Sequence, residues 1–242
     1  MKGVILAGGL GSRLYPLTYS TNKHLLPVYD KPMIFYPIET LVKAGIKEIL
    51  IITGGPHAGH FLRVLKNGKE LGVGHLEFVY QETEGGLSDA LRLAEDFADK
   101  EPITAILGDN TTDADIAPSI SSFKAGAVMF LKEVPDPRKY GVPVFDPKDP
   151  KKIISIEEKP EKPKSSYAST GLYVFDNKCF DYIRTLTPSK RGELEIVDLQ
   201  NIYIKKGTMK WEILNGFWTD AGSFETLLVA SNYWAKKKGV KS

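Results

Sequence analysis

Hydrophobic and polar positions in the first half of the chain form short apolar runs that alternate with longer segments of helical spacing. Five apolar runs predict β-strands: GVILA, EILIIT, LEFVYQ, ITAIL and AVMFLKEV. Between these runs, apolar residues recur at helical spacing from Ile34 to Val42, ahead of Gly45, and again from Asp89 to Phe97. Alternating strands and helices are typical of βαβ units, so we expect an α/β fold with a mainly parallel sheet flanked by helices.

The pattern changes between about Pro135 and Ser166, where proline and lysine are frequent. Such a stretch predicts turns and short antiparallel strands inserted over one edge of a Rossmann-like sheet, the edge where ligands bind. A strand at STGLYVF, helices around DYIRTL and IVDLQNIYIKK, a strand at KWEIL and a helix from about Ser223 to Lys236 follow. We expect one domain over 1–242, with parts at about 1–134, 135–222 and 223–242.

Composition and charge restrict the class of protein. The chain of 242 residues is 42% hydrophobic, which suffices for a packed core, and its net charge of +2 gives no reason to expect a nucleic-acid or membrane partner. Cys179 is the only cysteine, which excludes an intramolecular disulfide and a multi-cysteine metal site. No apolar stretch approaches the roughly 20 residues of a membrane helix, and the N-terminus lacks a signal-peptide pattern. We therefore expect a cytoplasmic protein.

The segment LAGGLGSRLYP directly follows the first predicted strand. Its glycines, Gly8, Gly9 and Gly11, remove the side chains that would keep a ligand from the backbone, so main-chain N–H groups can converge on an anion. Two cations, Arg13 and Lys23, suit a pyrophosphate. The spacing fits neither the dinucleotide fingerprint nor the P-loop. The pattern favours a phosphate site, and the alternative is a glycine-rich turn with two solvated cations.

Two acidic residues follow strand-like segments, Asp109 in ILGDN and Asp220 in FWTDAG. Two carboxylates can share one Mg²⁺ with nucleotide oxygens, while water completes the octahedron. Alone, Asp109 is better explained as the cap of a following helix, and the distant Asp220 is what favours a metal site. The HAGH stretch is interpreted as surface helix, because no third ligand lies nearby in the sequence.

Nine segments in order across nearly the whole chain resemble the sugar-1-phosphate nucleotidylyltransferases, and within them the glucose-1-phosphate thymidylyltransferases. They are LAGGLGSRLYPLT, NKHLLPVYDKPMIFYPIETL, YQETEGGLSDAL, LGDN, YGVPVFD, IEEKP, STGLYVFD, RGELEIVDLQNIY and WTDAG. The resemblance implies transfer of a nucleotidyl group from dTTP to glucose 1-phosphate by in-line attack, with Mg²⁺ as cofactor and without a covalent enzyme intermediate. It also implies a homo-oligomer and a sugar-binding role for the antiparallel insertion.

The resemblance also implies the roles of particular residues. Catalysis is implied for Arg13, Lys23 and Lys159, and Mg²⁺ binding for Asp109 and Asp220. The implied nucleotide contacts are Leu6, Gly8, Gly9, Gly11, Ser12, Arg13, Gln81, Gly86 and Asp109. The implied sugar-phosphate contacts are Asn110, Gly141, Glu158, Lys159, Thr170, Tyr173 and Arg191. For Glu157, Glu161 and Lys162 in IEEKPEKPK, the alternative is a solvated charged surface.

Departures from the family keep some alternatives open. The loop QETEGG lacks the more usual proline, so a uridylyltransferase that uses UTP is the first alternative. A subunit that senses nucleotide sugars without catalysis is the second, and an NAD-dependent dehydrogenase is opposed by the glycine spacing. The chain ends soon after ASNYWAKKK, where long members of the family continue with further helices, so we expect weak or no feedback inhibition by the downstream deoxysugar nucleotide at a separate site.

Overall fold

A seven-stranded sheet forms the centre of the chain in the computed structural model, which describes residues 1–240. The strands are β1 (Lys2–Ala7), β2 (Pro27–Val28), β3 (Lys31–Pro32), β4 (Glu48–Gly54), β5 (His75–Gln81), β6 (Ile103–Leu107), β7 (Asn110–Thr112), β8 (Ala127–Glu133), β9 (Gly141–Asp146), β10 (Asp149–Glu158), β11 (Tyr167–Phe175), β12 (Met209–Ile213) and β13 (Trp218–Asp220). The central sheet has the order β12-β8-β11-β6-β1-β4-β5. All five strands predicted in the first half of the chain belong to it.

The central sheet is parallel except at β11, which runs antiparallel to both of its neighbours, β6 and β8. The mainly parallel sheet expected from the sequence is therefore confirmed. Its central strands are apolar at nearly every position because both faces are covered by helices. Along β1, Val4 and Leu6 enter the core on one face, while Ile5 and Ala7 enter the core on the other.

Helices pack on both faces of this sheet. They are α1 (Phe35–Lys43), α2 (Gly59–Leu65), α3 (Leu87–Arg92), α4 (Glu95–Ala98), α5 (Ala117–Ser122), α6 (Lys178–Ile183), α7 (Ile196–Lys205) and α8 (Phe224–Lys237). Residues of α3, α4, α6 and α7 contribute to the core on one face, and residues of α1, α2 and α5 pack into the core on the other. This arrangement buries large side chains such as Phe61 and Phe180 almost completely.

The helix predicted from Asp89 to Phe97 is two helices, α3 and α4, separated by a tight turn. Within this turn Leu93 and Ala94 donate backbone hydrogen bonds three residues back, to Ala90 and Leu91. Three-residue turns keep side chains on one face, so the apolar spacing stays helix-like although the α-helix is interrupted. Similarly, the segment DYIRTL is helical only as far as Ile183, the last residue of α6.

Three small antiparallel sheets accompany the central one. The predicted insertion is confirmed as a hairpin of β9 and β10. The pairing of β7 with β13, and that of β2 with β3, is not predicted by the sequence pattern. Helix α8 begins after a capping box of Ser223 and Thr226, close to the predicted start, and packs Trp234 against Tyr36 with the ring centres 4.7 Å apart. Within residues 1–240, no helix combines the length and apolarity needed to cross a membrane.

Candidate active site

Two adjoining cavities lie at the edge where the parallel strands β1, β5 and β6 end. The first has a volume of about 260 Å³ and the second about 580 Å³. Four residues border both cavities: Leu87, Leu107, Asp109 and Glu193. The cavities therefore form one cleft, at the edge of the sheet where the sequence predicts ligand binding.

The structure brings all but one of the predicted nucleotide residues to this cleft. The first cavity is lined by Leu6, Gly8, Gly9, Lys23, Gln81, Gly86 and Asp109. Ser12 and Arg13 line the second cavity instead, and Gly11 borders neither. Asp109 lines both cavities and so joins the two sets of lining residues. Their roles as ligands stay predictions.

The glycines of the loop after β1 make room for other protein side chains as well as for a ligand. A Cβ on Gly8 would lie 2.7 Å from Gln81 Oε1, and a Cβ on Gly11 would lie 2.7 Å from the Cβ of Lys23. Gly11 also has a φ of +71°, which favours glycine. Two of the three glycines thus permit Gln81 and Lys23 to reach the cleft.

Asp109 and Asp220 are 111 positions apart in the sequence and are brought together by the pairing of β7 with β13. In this register Asp220 lies opposite Asn110, and the backbone N–H of Ala221 donates to the carbonyl oxygen of Asp109 at 2.8 Å. Both carboxylates face the bare side of Gly222, where a Cβ would lie 3.2 Å from Asp109 Oδ2 and 3.5 Å from Asp220 Oδ2.

Arg13 and Lys23 supply the positive charge beside these carboxylates. The Nζ of Lys23 donates to Asp109 Oδ2 at 2.5 Å, and Arg13 Nη2 would lie 2.9 Å from a Cβ on Gly222. Burial by itself would raise the pKa of Asp109, but the neighbouring positive groups together, led by the charge and the hydrogen bond of Lys23, outweigh burial and lower that pKa to about 2. Burial raises the pKa of Asp220, and the negative charge of Asp109 raises it further.

The paired carboxylates fit a magnesium ion by their chemistry. Mg²⁺ is held in proteins by one or two carboxylates, keeps several waters and takes further oxygens from substrate phosphates. Because Gly222 has no Cβ, the space beside it stays open, and the carboxylates of Asp109 and Asp220 both border that space. Within residues 1–240, no group of three or more His, Cys, Asp or Glu side chains is placed to hold a metal ion. His57 and His60, at the surface around α2, therefore belong to no such group.

The second cavity gathers most of the predicted sugar-phosphate residues. It is lined by Asn110, Gly141, Glu158, Lys159, Thr170 and Tyr173, among others. Arg191 is not among the lining residues. Its guanidinium donates to Glu195 at 2.9 Å and lies 3.5 Å from Glu158, so carboxylates engage it.

Thr170 and Tyr173 are both buried at this cavity. The hydroxyl of Thr170 donates to the carbonyl oxygen of Phe130 at 3.0 Å, and burial raises the pKa of Tyr173 to about 12. Next to Thr170, Gly171 has a φ of +77° at an irregularity of the pairing between β11 and β8. A Cβ there would lie 2.6 Å from Leu107, so this bend in β11 depends on glycine.

Sequence reasoning missed two aromatic residues that orient the polar side chains of the cleft. The Tyr140 hydroxyl donates to Asp220 Oδ1 at 3.2 Å, and the Trp218 indole N–H donates to Asn110 Oδ1 at 2.6 Å. The two rings also pack edge to face, with their centres 5.6 Å apart. Both residues lie within matched segments, YGVPVFD and WTDAG, but only the fold shows which side chains they contact.

His24 has no role in the sequence-based prediction, yet it lines the first cavity and is almost fully buried. Its backbone N–H donates to Asn22 Oδ1 at 3.0 Å, and its ring Nδ1 lies 2.7 Å from the same oxygen. Because that atom of Asn22 accepts from a backbone N–H, it is the oxygen, and Nδ1 carries the proton. Burial and the charge of Lys23 lower the pKa of His24 to about 3, so the ring is neutral at pH 7.

This buried histidine makes the stability of the protein pH-dependent. Below pH 6.5 the unfolded chain protonates residue 24, whereas folded His24 takes up its proton only near pH 3, so stability falls as the pH is lowered. The expected loss between pH 7.5 and pH 5 is about 2 kcal/mol of unfolding free energy. Urea unfolding in EDTA measures it. His24→Gln should lose less unfolding free energy between pH 7.5 and pH 5 than wild type does. The exposed control His60→Gln should lose as much as wild type. If the unfolding free energy of His24→Gln depends on pH as that of wild type does, His24 is not the cause.

Known proteins resemble this chain over almost its whole length. The profile of the nucleotidyl transferase family matches residues 2–237. A glucose-1-phosphate thymidylyltransferase from Xanthomonas campestris pv. campestris (strain B100) is 44% identical, over 96% of this chain and 80% of its own length. The protein of the same name from Neisseria meningitidis is 41% identical over 96% of this chain and 82% of its own length.

Solved structures agree with the sequence comparisons. A structure from Bacillus anthracis assigned as a glucose-1-phosphate thymidylyltransferase, in complex with a sucrose, is 47% identical with a TM-score of 0.90 and covers 96% of this chain and 94% of its own. A UDP-glucose pyrophosphorylase complexed with UDP-glucose is 26% identical with a TM-score of 0.83, and 98% of each chain is covered. The chain therefore belongs to the nucleotidyl transferase family.

Proposed function

We propose that this protein is a glucose-1-phosphate thymidylyltransferase, which converts dTTP and glucose 1-phosphate to dTDP-glucose and pyrophosphate. The observation that carries the proposal is the junction of the two cavities, where Asp109, Asp220, Arg13 and Lys23 meet. One cavity is lined by the predicted nucleotide residues and the other by the predicted sugar-phosphate residues. The relatives of this name at 41% and 44% identity support the choice of substrates.

The reaction requires two polyanions to be held together. A phosphate oxygen of the sugar phosphate attacks the α-phosphorus of dTTP in line, the bond to the bridging oxygen breaks, and pyrophosphate leaves with that electron pair. The enzyme has little covalent chemistry to perform, so alignment and neutralisation of charge supply most of the rate. Arg13 and Lys23 are the protein cations at the point where the two substrates meet.

Lys23 lies between the two phosphate groups in this proposal. Its ammonium group neutralises the buried carboxylate of Asp109. Asp109 and Asp220 would hold Mg²⁺, which, when bound, neutralises phosphate charge and polarises the phosphoryl oxygens. Nucleotidyl transferases are in general Mg²⁺-dependent enzymes, and the two carboxylates here provide oxygen ligands of the required kind.

The second cavity suits a sugar phosphate. Glu158 accepts hydrogen bonds from hydroxyl groups and Lys159 pairs with a dianionic phosphate, as the resemblance implies. Lys159 is half-exposed and has a φ of +43°, and its backbone N–H donates to the carbonyl oxygen of Tyr140 at 3.0 Å. This bond links the proposed phosphate ligand to the residue that contacts Asp220. Gln81 and Gly86 would contact the pyrimidine in the first cavity.

Transfer from UTP is the second candidate function. It is favoured by the likeness to a UDP-glucose pyrophosphorylase with a TM-score of 0.83, and by the QETEGG loop, which departs from the usual thymidylyltransferase sequence. Both reactions share the same phosphoryl chemistry, so the choice depends on the base methyl group and on the 2′-hydroxyl of the ribose. We also propose that the protein is a homo-oligomer located in the cytoplasm. Light scattering, which measures the mass of the particle in solution, tests the oligomeric state.

Release of pyrophosphate from glucose 1-phosphate and Mg²⁺ tests the proposed reaction, with dTTP, UTP, ATP, CTP and GTP offered separately. We expect the highest kcat/KM with dTTP, because the relatives at 41% and 44% identity are thymidylyltransferases by name. A higher value with UTP would retain the mechanism and replace the donor. No release with any nucleotide, while nucleotide still binds, would instead support the sensing subunit.

A further inference from the structure

Asp89 is a mostly buried carboxylate behind the first cavity, with no role in the proposed reaction. It lies in the first turn of α3, and its side chain is 15% exposed. Its two oxygens have different partners. Arg92 Nη2 donates to Oδ1 at 3.0 Å, and Gln81 Nε2 donates to Oδ2 at 3.1 Å.

These contacts determine the orientation of the Gln81 amide. The group that faces Asp89 also lies 3.4 Å from the carbonyl oxygen of Gly86. A carboxylate paired with Arg92 and a backbone carbonyl are both acceptors, so the amide must present its NH₂ group to them. Gln81 Oε1 consequently points the other way, to the bare face of Gly8 in the first cavity.

The glycine pair of the loop QETEGG makes this arrangement sterically feasible. A Cβ on Gly85 would lie 2.6 Å from Asp89 Oδ2, so any side chain there would displace the carboxylate. Gly86 has a φ of +96°, and a Cβ there would lie 2.7 Å from the carbonyl oxygen of Leu194. The loop is thus shaped to place a carboxylate against the Gln81 amide.

We propose that Asp89 is a positioning residue that selects the base of the nucleotide by holding Gln81 with its oxygen toward the cavity. This inference rests on the proposed function, in which Gln81 contacts the pyrimidine. An acceptor at Oε1 matches a pyrimidine that carries N–H at ring position 3, as thymine and uracil do. Cytosine has a lone pair at that position, so two acceptors would face each other. The enzyme therefore selects thymine or uracil over cytosine through Asp89.

The test compares kcat/KM for dTTP and dCTP in the wild-type enzyme and in Asp89→Asn. An amide at residue 89 can present either its oxygen or its nitrogen to Gln81. The Gln81 amide can then rotate by about 180°, so that its NH₂ group faces the cavity and donates to the cytosine ring nitrogen. We expect the dTTP to dCTP ratio to fall at least about tenfold, the equivalent of one misdirected hydrogen bond. The dTTP to dUTP ratio should stay constant, since these nucleotides differ only in a methyl group that the amide does not contact.

Two further variants separate selectivity from folding. Asp89→Ala removes the acceptor without adding an amide and should also lower the dTTP to dCTP ratio. Asp96→Asn makes the same change at an exposed position of α4 and should leave the ratio as in wild type. Unchanged ratios in both Asp89 variants, in enzyme that turns over dTTP, would overturn the inference and leave the proposed function intact.

Equilibrium binding of dTDP and dCDP to the same proteins tests the role of Asp89 independently of turnover. A preference of the wild type for dTDP that is lost in both Asp89 variants supports this role, even if the proposed reaction fails. A preference that both variants retain contradicts it.

Discussion

Arg13→Ala is expected to lower kcat for nucleotidyl transfer by about 100-fold or more. Removal of a single preorganised donor of positive charge at a reacting centre has an effect of this size. The guanidinium of Arg13 lies at the bare face of Gly222, beside both acidic residues and in the second cavity. Pyrophosphate release at saturating substrates measures the change.

The folding of Arg13→Ala should be close to that of wild type, because the side chain is exposed. Arg63→Ala, which removes an exposed arginine from α2, is the matched control and should keep wild-type turnover. Turnover of Arg13→Ala within a few-fold of wild type would remove Arg13 from the catalytic machinery and weaken the assignment of the cleft.

Asp220→Asn is expected to raise the Mg²⁺ concentration for half-maximal activity by at least about tenfold. An amide retains one oxygen but loses the charge that makes a carboxylate a good ligand for this hard cation. The substitution keeps the shape of the side chain and an acceptor for the hydroxyl of Tyr140, 3.2 Å away. A titration of activity against Mg²⁺ measures the shift.

Asp99→Asn provides the control for this substitution, since Asp99 is exposed after α4, where its φ of +46° is also acceptable for asparagine. Its Mg²⁺ titration should superimpose on that of wild type. The same result for Asp220→Asn would exclude residue 220 from the metal site. The melting temperatures of the two variants are compared as well. If they are equal, a loss of activity in Asp220→Asn reflects the loss of a metal ligand and not unfolding.

The central sheet could be predicted from the sequence because its strands are buried on both faces. In that environment runs such as EILIIT and AVMFLKEV stay apolar without interruption, which is a strong local signal. The signal is weaker between Asp89 and Phe97, where the turn after Arg92 preserves helical spacing of the apolar residues. Helix ends of this kind depend on backbone geometry that the spacing does not specify.

The gathering of candidate residues at one cleft could be anticipated in part. Gly8, Gly9 and Gln81 lie at or just after the ends of parallel strands, and such ends lie at one edge of a sheet. Arg191 shows the limit of this reasoning. Its motif matches the family, yet in the folded chain Glu195 and Glu158 engage its guanidinium. The partner of a long, flexible side chain such as that of arginine depends on the charged groups that the fold places near it.

The sequence by itself determined the fold class, the family and the kind of chemistry, because periodicity, glycine spacing and carboxylate motifs are local properties of the chain. Only the tertiary structure decided which side chains meet. The pairing of β7 with β13 brings Asp109 and Asp220 together, and the packing of α3 places Asp89 behind Gln81. Such contacts join residues that are far apart or on different elements, and their geometry follows from strand register and packing, which no local pattern of residues contains.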